Sequence, residues 1–210
     1  LKDEAEKLGM DFPFLHAPFS GINNMWIDGD AYKTIFGGTT KAIDSASACG
    51  VPVVVVHVSS GWNAPHVNDL GLSRYDAIVD YAASKGVTVA FENLRMVGNL
   101  ACLIDRYEKN PSVKYCYDNG HEHCYTKTVS WIDIFTKNII ATHIHDNYSR
   151  DLDDKVSDGD LHLLPFDGTF DFHTMMQKLD RYGYEGPLLL EVFRGSRKDY
   201  MELTAEQFMA

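Results

Sequence analysis

The chain has 210 residues, 45% hydrophobic and 23% charged, which is enough for one sizeable core and has the composition of an ordinary globular domain. Its formal net charge of −11 at pH 7, with no run of Lys or Arg, disfavours binding to the phosphate backbone of nucleic acids. No apolar stretch approaches the roughly 20 residues of a membrane helix and the start, LKDEAEKLGM, lacks the apolar segment of a signal peptide, so we expect a cytoplasmic protein without a membrane partner.

Short apolar runs rich in Val, Ile, Tyr and Phe alternate with longer segments of helical periodicity, which predicts βα units and a parallel sheet. In chain order, the predicted strands are 12–16, 51–57, 87–92, 112–118, 139–145 and 187–192. The predicted helices lie near 30–48, 72–85, 98–109, 129–136 and 170–182. The runs VPVVVV and GPLLLEV are almost continuously apolar, which is typical of strands that are buried on both faces.

Every predicted strand ends on, or within about one residue of, a side chain that can bind a metal ion. These side chains are His16, His57, Glu92, Asp118, His143 and Glu191. Asp and Glu make up 30 of the residues and His only 9, so this distribution is improbable by chance. Catalytic groups of βα barrels lie at the carboxyl ends of the strands, and side chains two apart share a face, which predicts one inward-facing site. Mixed imidazole and carboxylate ligands suit Mn²⁺, Zn²⁺, Co²⁺ or Mg²⁺.

The stretch YCYDNGHEHCY, residues 115–125, concentrates such groups after one strand. Asp118 and His121 leave the strand end together, which favours a metal and substrate site over a nucleophile. The four cysteines show no C-x-x-C spacing, and Cys116 and Cys124 are interpreted as reduced, packed thiols.

The motifs HAPF, FENL, YDNGH, HIHDN, DLHLLPFDGTFD and LLLEV occur in the order in which they follow the strands of a known group. Over nearly its whole length the chain resembles the xylose isomerase-like TIM barrels, also called the AP endonuclease family 2 superfamily. The resemblance implies an α/β fold of the parallel βα TIM-barrel type. Such barrels have eight strands and about 250 residues. Only six strands are predicted here, matching the third to the eighth. We therefore expect the first two βα units to be absent.

The expected organisation is a single TIM-barrel-type catalytic domain over 1–210, N-terminally incomplete. The start LKDEAEKLGM is interpreted as the tail of the second helix of the family. A sheet with missing units would expose strand edges or be completed by another chain, and homo-oligomerisation stays open. The irregular segment 147–169 is too long for a simple connector and predicts a functional loop.

In the sugar epimerases of this group, a divalent metal is held by two Glu, one Asp and one His. The resemblance carries these roles over to Glu92, Asp118, His143 and Glu191. It also implies that Glu92 and Glu191 transfer protons and that His121 contacts the substrate. The resulting hypothesis is a metal-dependent isomerase or epimerase of a small sugar or sugar phosphate, acting through an enediolate. His145 is expected to face the substrate or to support a ligand.

Two alternatives remain open. The endonuclease IV branch binds three zinc ions with nine ligands, and the resemblance gives each a match. These matches are His16, His57, Glu92, Asp118, His121, His143, Asp160, His162 and Glu191. A zinc phosphodiesterase acting on abasic DNA is therefore one alternative, although the negative charge disfavours it. A relative that binds a metal or a sugar without catalysis is the other, and a dehydratase of inositol-like ketones would be a variant of the main hypothesis.

Overall fold

The computed structural model describes residues 2–150 and 159–209. Its strands form one sheet in the order of the sequence, and the pairs with a recorded register, β1–β2, β2–β3, β3–β4 and β5–β6, are parallel. The strands are β1 (Leu15–His16), β2 (Val53–Val56), β3 (Thr88–Glu92), β4 (Val113–Asp118), β5 (Ile139–Ile144) and β6 (Leu189–Leu190). The predicted parallel sheet of six strands is confirmed, with β1 and β6 at its two ends.

Helices follow the strands, as the predicted βα pattern requires. They are α1 (Lys2–Lys7), α2 (Tyr32–Cys49), α3 (Asp69–Ser84), α4 (Val97–Arg106), α5 (Asn119–Tyr125), α6 (Trp131–Phe135), α7 (Phe172–Arg181), α8 (Lys198–Glu202) and α9 (Ala205–Met209). Short 3₁₀ helices cover Ile22–Trp26, Thr136–Asn138 and Arg194–Ser196. Within the described part of the chain, none of the helices is both long and apolar enough to cross a membrane.

The helix ends have local causes that the sequence shows. Asn68 precedes α3, and its side chain accepts a hydrogen bond from the backbone N–H of Gly71, which satisfies a donor that the first helical turn leaves free. Asp171 precedes α7, and its side chain likewise accepts a hydrogen bond from the backbone N–H of Thr174. Gly50 ends α2 in the left-handed conformation, φ 66°, which a residue without Cβ adopts at little cost.

The described residues fall into two compact units. Unit 1 contains positions up to 116 together with 138–141, and unit 2 contains 117–137 and the positions from 142 onward. In unit 1, one face of the sheet carries a core of small and branched side chains. This inner core cluster consists of Val53, Val55, Ala90, Cys116 and Ala141, with Phe14 and Ile140 packed against it. The thiol of Cys116 is thus a packing group, as predicted, and none of the four cysteines forms a disulfide.

The helical side of unit 1 is held by one buried arginine. Arg74 of α3 donates hydrogen bonds through Nη1 to the carbonyl oxygens of Asn24, Met25 and Ile27 at 2.8–3.0 Å. Its guanidinium also lies 3.7 Å from the ring centroid of Tyr32. These three carbonyls lie at the end of the 3₁₀ helix and directly after it, and a planar group with five N–H donors can bond several of them together. This contact fixes the segment between β1 and α2.

Unit 2 contains α5 to α9, β6 and a second apolar cluster. That cluster comprises Leu163, Tyr200 and Phe208, flanked by Leu161, Leu164, Val192 and Leu203. The prediction that 187–192 is buried on both faces is wrong, since Leu188, Leu189 and Leu190 are 47%, 38% and 47% exposed. The strand is also shorter than predicted, as is β1. Each has a single recorded neighbour in the sheet order, which leaves one backbone edge and part of both faces uncovered.

Candidate metal centre

The candidate ligands continue the inner face of the strands. His57, Glu92, Asp118 and His143 each lie two positions after a residue of the inner core cluster, namely Val55, Ala90, Cys116 and Ala141. Side chains two apart on a strand point to the same face. The predicted alternation is therefore present in β2, β3, β4 and β5. Each of these strands carries apolar groups within the sheet and a metal-binding group at its carboxyl end.

In unit 1, two imidazoles converge on one buried carboxylate. Nε2 of His16 and Nε2 of His57 each lie 3.1 Å from Oε2 of Glu92, which is only 1% exposed. Nδ1 of His16 lies 2.7 Å from the carbonyl oxygen of Ala17, so a proton on Nδ1 would leave the lone pair of Nε2 free. The three side chains offer ligand atoms within 4.8 Å of one another.

An aromatic side chain borders this group. The ring of Phe19 stacks on His57 with centroids 4.6 Å apart and planes 20° apart. Phe19 therefore provides apolar surface beside the polar cluster in unit 1. Trp62, in the same unit, is 41% exposed, and the guanidinium of Arg95 lies 5.4 Å from its ring centroid.

In unit 2, Asp118 is shared by three histidines. Its Oδ1 accepts a hydrogen bond from the backbone N–H of His121 at 2.7 Å, which caps α5, and lies 3.2 Å from Nε2 of His145. Its Oδ2 lies 3.4 Å from Nδ1 of His121 and 3.7 Å from Nδ1 of His143. The residue is fully buried. Burial of a carboxylate is tolerated only with partners of this kind or with a metal ion.

Glu191 joins the same part of unit 2. Its Oε2 lies 3.3 Å from Nδ1 of His143, and its backbone N–H donates to the carbonyl of Ile144, extending the β5–β6 pairing beyond the strand. The side chain is 37% exposed, whereas His143 is buried. Asp118, His143 and Glu191 therefore form a connected set in which Glu191 is the member open to solvent.

A second set lies beside it. Nε2 of His121 and Nε2 of His162 each lie 3.3 Å from an oxygen of Asp160, and the hydroxyl of Tyr125 donates to Asp160 at 2.8 Å. The rings of His145 and His162 stack at 4.0 Å with an interplanar angle of 11°. Nδ1 of His162 lies 2.7 Å from the carbonyl oxygen of Glu191, which orients its Nε2 toward Asp160.

Asp160 and His162 stabilise each other's charged form. Burial opposes ionisation of Asp160, but the hydrogen bonds from His121 and His162 outweigh it and hold the pKa of this carboxyl well below its usual range. Burial likewise disfavours the imidazolium of His162, yet Asp160 raises the pKa of His162 to about 9. Without a metal, a proton therefore occupies His162 at neutral pH, and metal binding there must release it.

Both sets fit a divalent ion by donor chemistry. His121, His145, Asp160 and His162 offer ligand atoms within 4.8 Å of one another. Four ligands placed tetrahedrally at 2.0–2.1 Å from Zn²⁺ lie about 3.4 Å apart, so modest side-chain movements close the set around an ion. The Nε2 atom of His145 faces Asp118 and Asp160, so it is the nitrogen of that ring available for binding. Nitrogen and oxygen donors suit Zn²⁺, Mn²⁺, Co²⁺ or Mg²⁺.

Several supporting residues were not identified from the sequence. Asn119 exchanges two hydrogen bonds with the backbone of His145, at 2.8 and 3.0 Å, and Asn147 donates to the carbonyl of Gly120 at 3.0 Å. These amides tie the first turn of α5 to the end of β5. The prediction missed α5 itself, because Asp-Asn-Gly is more typical of a turn, and the cap by Asp118 is what begins the helix.

The structure brings together most of the predicted site residues within each unit. Asp118, His143 and Glu191 are connected in unit 2, as are His121, His145, Asp160 and His162, while Glu92 lies with His16 and His57 in unit 1. The predicted functional loop 147–169 is described only in part, since 151–158 lie outside the described residues. Its described part carries Asp160 and His162 into the site.

The parallel βα sheet with carboxylates and imidazoles at its carboxyl strand ends defines an α/β protein of the TIM-barrel type. The sequence model of the family described as xylose isomerase-like TIM barrel matches residues 1–208. The chain therefore belongs to the xylose isomerase-like TIM barrel family, as the resemblance of its motifs predicts.

Two curated relatives and several solved structures are similar to the chain. Uncharacterized protein y4fM of Sinorhizobium fredii is 31% identical over 163 residues, covering 71% of this chain and 50% of the relative. Uncharacterized protein MJ1311 of Methanocaldococcus jannaschii is 25% identical over 194 residues, covering 84% and 63% respectively. The chain thus spans between half and two thirds of the length of these relatives.

The solved structures share the fold at low sequence identity. A D-tagatose 3-epimerase-like protein has a TM-score of 0.72 at 20% identity, covering 98% of this chain and 82% of that one. A xylose isomerase domain protein from Planctomyces limnophilus has a TM-score of 0.75 at 16% identity, with coverages of 96% and 78%. The 3-keto-D-glucoside 4-epimerase YcjR from E. coli has a TM-score of 0.66 at 14% identity, with coverages of 96% and 81%.

Proposed function

We propose that the protein is a divalent-metal-dependent isomerase or epimerase of a small sugar or sugar derivative. The observation that carries the proposal is the connected set of Asp118, His143 and Glu191 at adjacent strand ends, with Glu92 ending β3 at the matching position. Membership of the family and the presence of sugar epimerases among the proteins with a similar fold support the sugar chemistry.

The proposed metal ligands are Glu92, Asp118, His143 and Glu191. The alternation of Glu92, Asp118 and His143 with the inner core cluster supports a common orientation of these three side chains. The donor types of all four ligands match Mn²⁺, Zn²⁺, Co²⁺ or Mg²⁺. When bound, such an ion stabilises negative charge on substrate oxygens as a Lewis acid. His121 is buried beside Asp118 and orients it through a side-chain and a backbone contact.

The two glutamates carry the proton transfer in this proposal. One of Glu92 and Glu191 removes a proton from the carbon next to the substrate carbonyl, giving an enediolate, and the other returns a proton to that carbon or its neighbour. Glu191 is partly open to solvent, which suits a group that meets an entering substrate, whereas Glu92 is buried between His16 and His57. Phe19 and Trp62 would cover the apolar face of the sugar.

A zinc phosphodiesterase is the second candidate, and one observation favours it. Beyond the four proposed ligands, further groups of donor atoms occur among the described residues, including one with His16 and His57 and one with Asp160 and His162. The net charge of −11 opposes binding of DNA. We therefore rank this activity second and place the protein in the cytoplasm, where four cysteines without a disulfide suit a reducing environment.

The test is solvent exchange at the substrate. Protein loaded in turn with Mn²⁺, Co²⁺, Zn²⁺ and Mg²⁺ is incubated with ketohexoses in D₂O, and NMR follows deuterium entering the carbon next to the carbonyl. We expect exchange and a new epimer or isomer with at least one sugar. Glu191→Gln should abolish both while the circular dichroism spectrum stays unchanged, because the volume is kept and the base is lost.

Glu185→Gln is the matched control. It is the same chemical substitution as Glu191→Gln, at an exposed glutamate that precedes β6. It should retain full exchange. Cleavage of an abasic duplex at physiological salt, with no exchange on any ketose, would select the phosphodiesterase instead. Normal exchange by Glu191→Gln would exclude the proposed acid–base pair.

A further inference from the structure

The carboxylate of Asp146 is unusual in unit 2 because it binds backbone rather than side chains. It follows β5, is fully buried, and accepts four backbone N–H hydrogen bonds. Its Oδ2 accepts from Phe166 at 3.0 Å and Gly168 at 2.9 Å. Its Oδ1 accepts from Phe170 at 3.1 Å and from Asn147 at 2.8 Å. Charge-assisted bonds of this kind are among the stronger hydrogen bonds in proteins.

Three of these four donors belong to one segment, residues 159–170, which we term the ligand arm because it carries Asp160 and His162. The backbone of Asp146 also bonds the arm, since its N–H donates to the carbonyl of Leu163 at 2.9 Å and its carbonyl accepts from Leu163 at 2.8 Å. Leu163 directly follows His162. Asp146 therefore makes five hydrogen bonds to the arm, two through its backbone and three through its carboxylate.

The arm has a conformation that needs such support. His162 and Phe166 have positive φ angles of 51° and 76°, which are costly for residues with a Cβ. Phe166 is also 82% exposed, so little apolar burial compensates this cost. Gly168 approaches so closely that a Cβ there would overlap Oδ1 of Asp146 and the carbonyl of Asn147. The hydrogen bonds to Asp146 thus join this turn to the end of β5, and those that Leu164 and Asp167 make with Tyr200 hold its other side.

On these observations, we propose that Asp146 is a positioning residue that fixes the ligand arm and so sets the metal affinity of the group formed by His121, His145, Asp160 and His162. The inference takes the metal at that group from the geometry of its donor atoms, and this group is separate from the four ligands of the proposed function. Asp146 is itself no ligand, because its oxygens are occupied by backbone N–H groups. It acts through the placement of Asp160 and His162 relative to β5, which carries His145 at its end.

Asp146→Asn tests this role with almost no change of volume. An amide keeps one acceptor oxygen and turns the other into an N–H₂ donor, so two of the four N–H groups lose their acceptor in either orientation. Zn²⁺ affinity is measured by competition titration with a chelator, and hydrogen–deuterium exchange is followed by mass spectrometry in peptides of the arm. We expect Zn²⁺ affinity to fall 10–100-fold, as for other residues that orient ligands, and exchange in the arm to rise.

Asp171→Asn is the matched control. Asp171 is exposed, lies directly after the arm, and caps α7 through Thr174, and the same substitution keeps an acceptor for this cap because Asn and Asp cap helices about equally well. It should leave exchange in the arm and in α7, and also Zn²⁺ affinity, close to the wild-type values. Exchange in unit 1 peptides covering β3 should stay unchanged in both variants, which separates a local effect from general destabilisation.

A second variant keeps the test valid if Asp146→Asn fails to fold. Gly168→Ala leaves the carboxylate intact but pushes the arm away from it, and it should give the same loss of Zn²⁺ affinity. Gly37→Ala, where the added Cβ meets nothing within 4 Å, is its control. Unchanged arm exchange and unchanged Zn²⁺ affinity in Asp146→Asn would overturn the inference. If the wild-type protein binds no Zn²⁺, the inference is overturned even where the variant loosens the arm, whereas the proposed function is judged separately by the solvent-exchange experiment.

Discussion

Gly120 offers a sharp test of how tightly the candidate centre is packed. It is the second residue of α5, and its φ is not in the left-handed region, so backbone conformation does not require glycine there. The lack of space for a side chain is what requires glycine. A Cβ at Gly120 would lie within 3.0 Å of Cε1, Nδ1 and Nε2 of His145, whereas ordinary contacts are 3.4–4 Å. Gly120→Ala therefore forces the imidazole of His145 or the first turn of α5 to move.

The cost follows from how little either side can move. His145 is fully buried with its Nε2 on Asp118, and the carbonyl of Gly120 accepts from Asn147. Overpacking of a buried site costs about 1–3 kcal/mol, and loss of the contact with the Asp118 carboxylate costs about 1.5–3 kcal/mol more. The higher helix propensity of Ala returns about 1 kcal/mol. We expect a net destabilisation of about 3 kcal/mol, a large part of the roughly 5–15 kcal/mol that stabilises a typical domain.

The assay is urea unfolding of metal-free protein, followed by Zn²⁺ titration under native conditions. Gly120→Ala should lower the unfolding midpoint and weaken Zn²⁺ binding, since His145 is displaced from its group. Gly98→Ala is the control: Gly98 lies in α4, an added Cβ would meet nothing within 4 Å, and the variant should be neutral or slightly stabilised. A Gly120→Ala protein as stable as the control, with unchanged Zn²⁺ affinity, would refute the packing described for His145.

Three further predictions concern stability. A hydrogen bond from Arg106 and a weaker effect from Tyr107 lower the pKa of Asp76 in the folded state. The carboxylate therefore stabilises the fold fully above its unfolded pKa of about 3.9. This stabilisation is lost as the pH falls through the lower folded pKa. Asp76→Asn should thus be less stable than wild type by at most about 1 kcal/mol at pH 7, and a gap that widens in urea titrations toward pH 2 would contradict this. Asn68→Ala removes the cap of α3 and should cost about 1 kcal/mol in thermal unfolding, whereas Asn68→Asp should retain most of the stability. Removal of a bound metal by chelator should lower the melting temperature. An ion at 100 times its dissociation constant stabilises the folded state by about 2.7 kcal/mol. If adding Zn²⁺ to chelator-treated protein left the melting temperature unchanged, this would argue against the metal centre.

The sequence alone determined the strands and the chemistry at their ends. Runs such as VPVVVV are apolar over the length of a strand, and the two-residue alternation from Val55 to His57 or from Ala90 to Glu92 places donor groups on the core face. These features depend only on residue type and local spacing. For this reason the parallel βα sheet could be predicted without a structure. The family followed from the resemblance of the strand-end motifs to those of a known group. The mixed carboxylate and imidazole character of the site followed from the same residues.

Tertiary structure decided which donors share a group. In the sequence, a long irregular segment separates His145 from Asp160 and His162. Only the folded chain stacks His145 on His162 and places Asp160 between His121 and His162. It also revealed the exposure of Leu188–Leu190, where an apolar run gave the wrong expectation because burial depends on neighbours that lie elsewhere in the chain.

The roles of Gly120 and Asp146 were likewise invisible in the sequence. Asp-Asn-Gly is typical of a turn, yet here the side chain of Asp118 caps a helix. Gly120 leaves room for the imidazole of His145, which directly follows β5. Asp146 is one carboxylate among many in the sequence, and only the fold returns the ligand arm to its oxygens. Local periodicity fixes which face a side chain takes, whereas the partner it meets is set by contacts between distant segments, and these form only when the chain is packed.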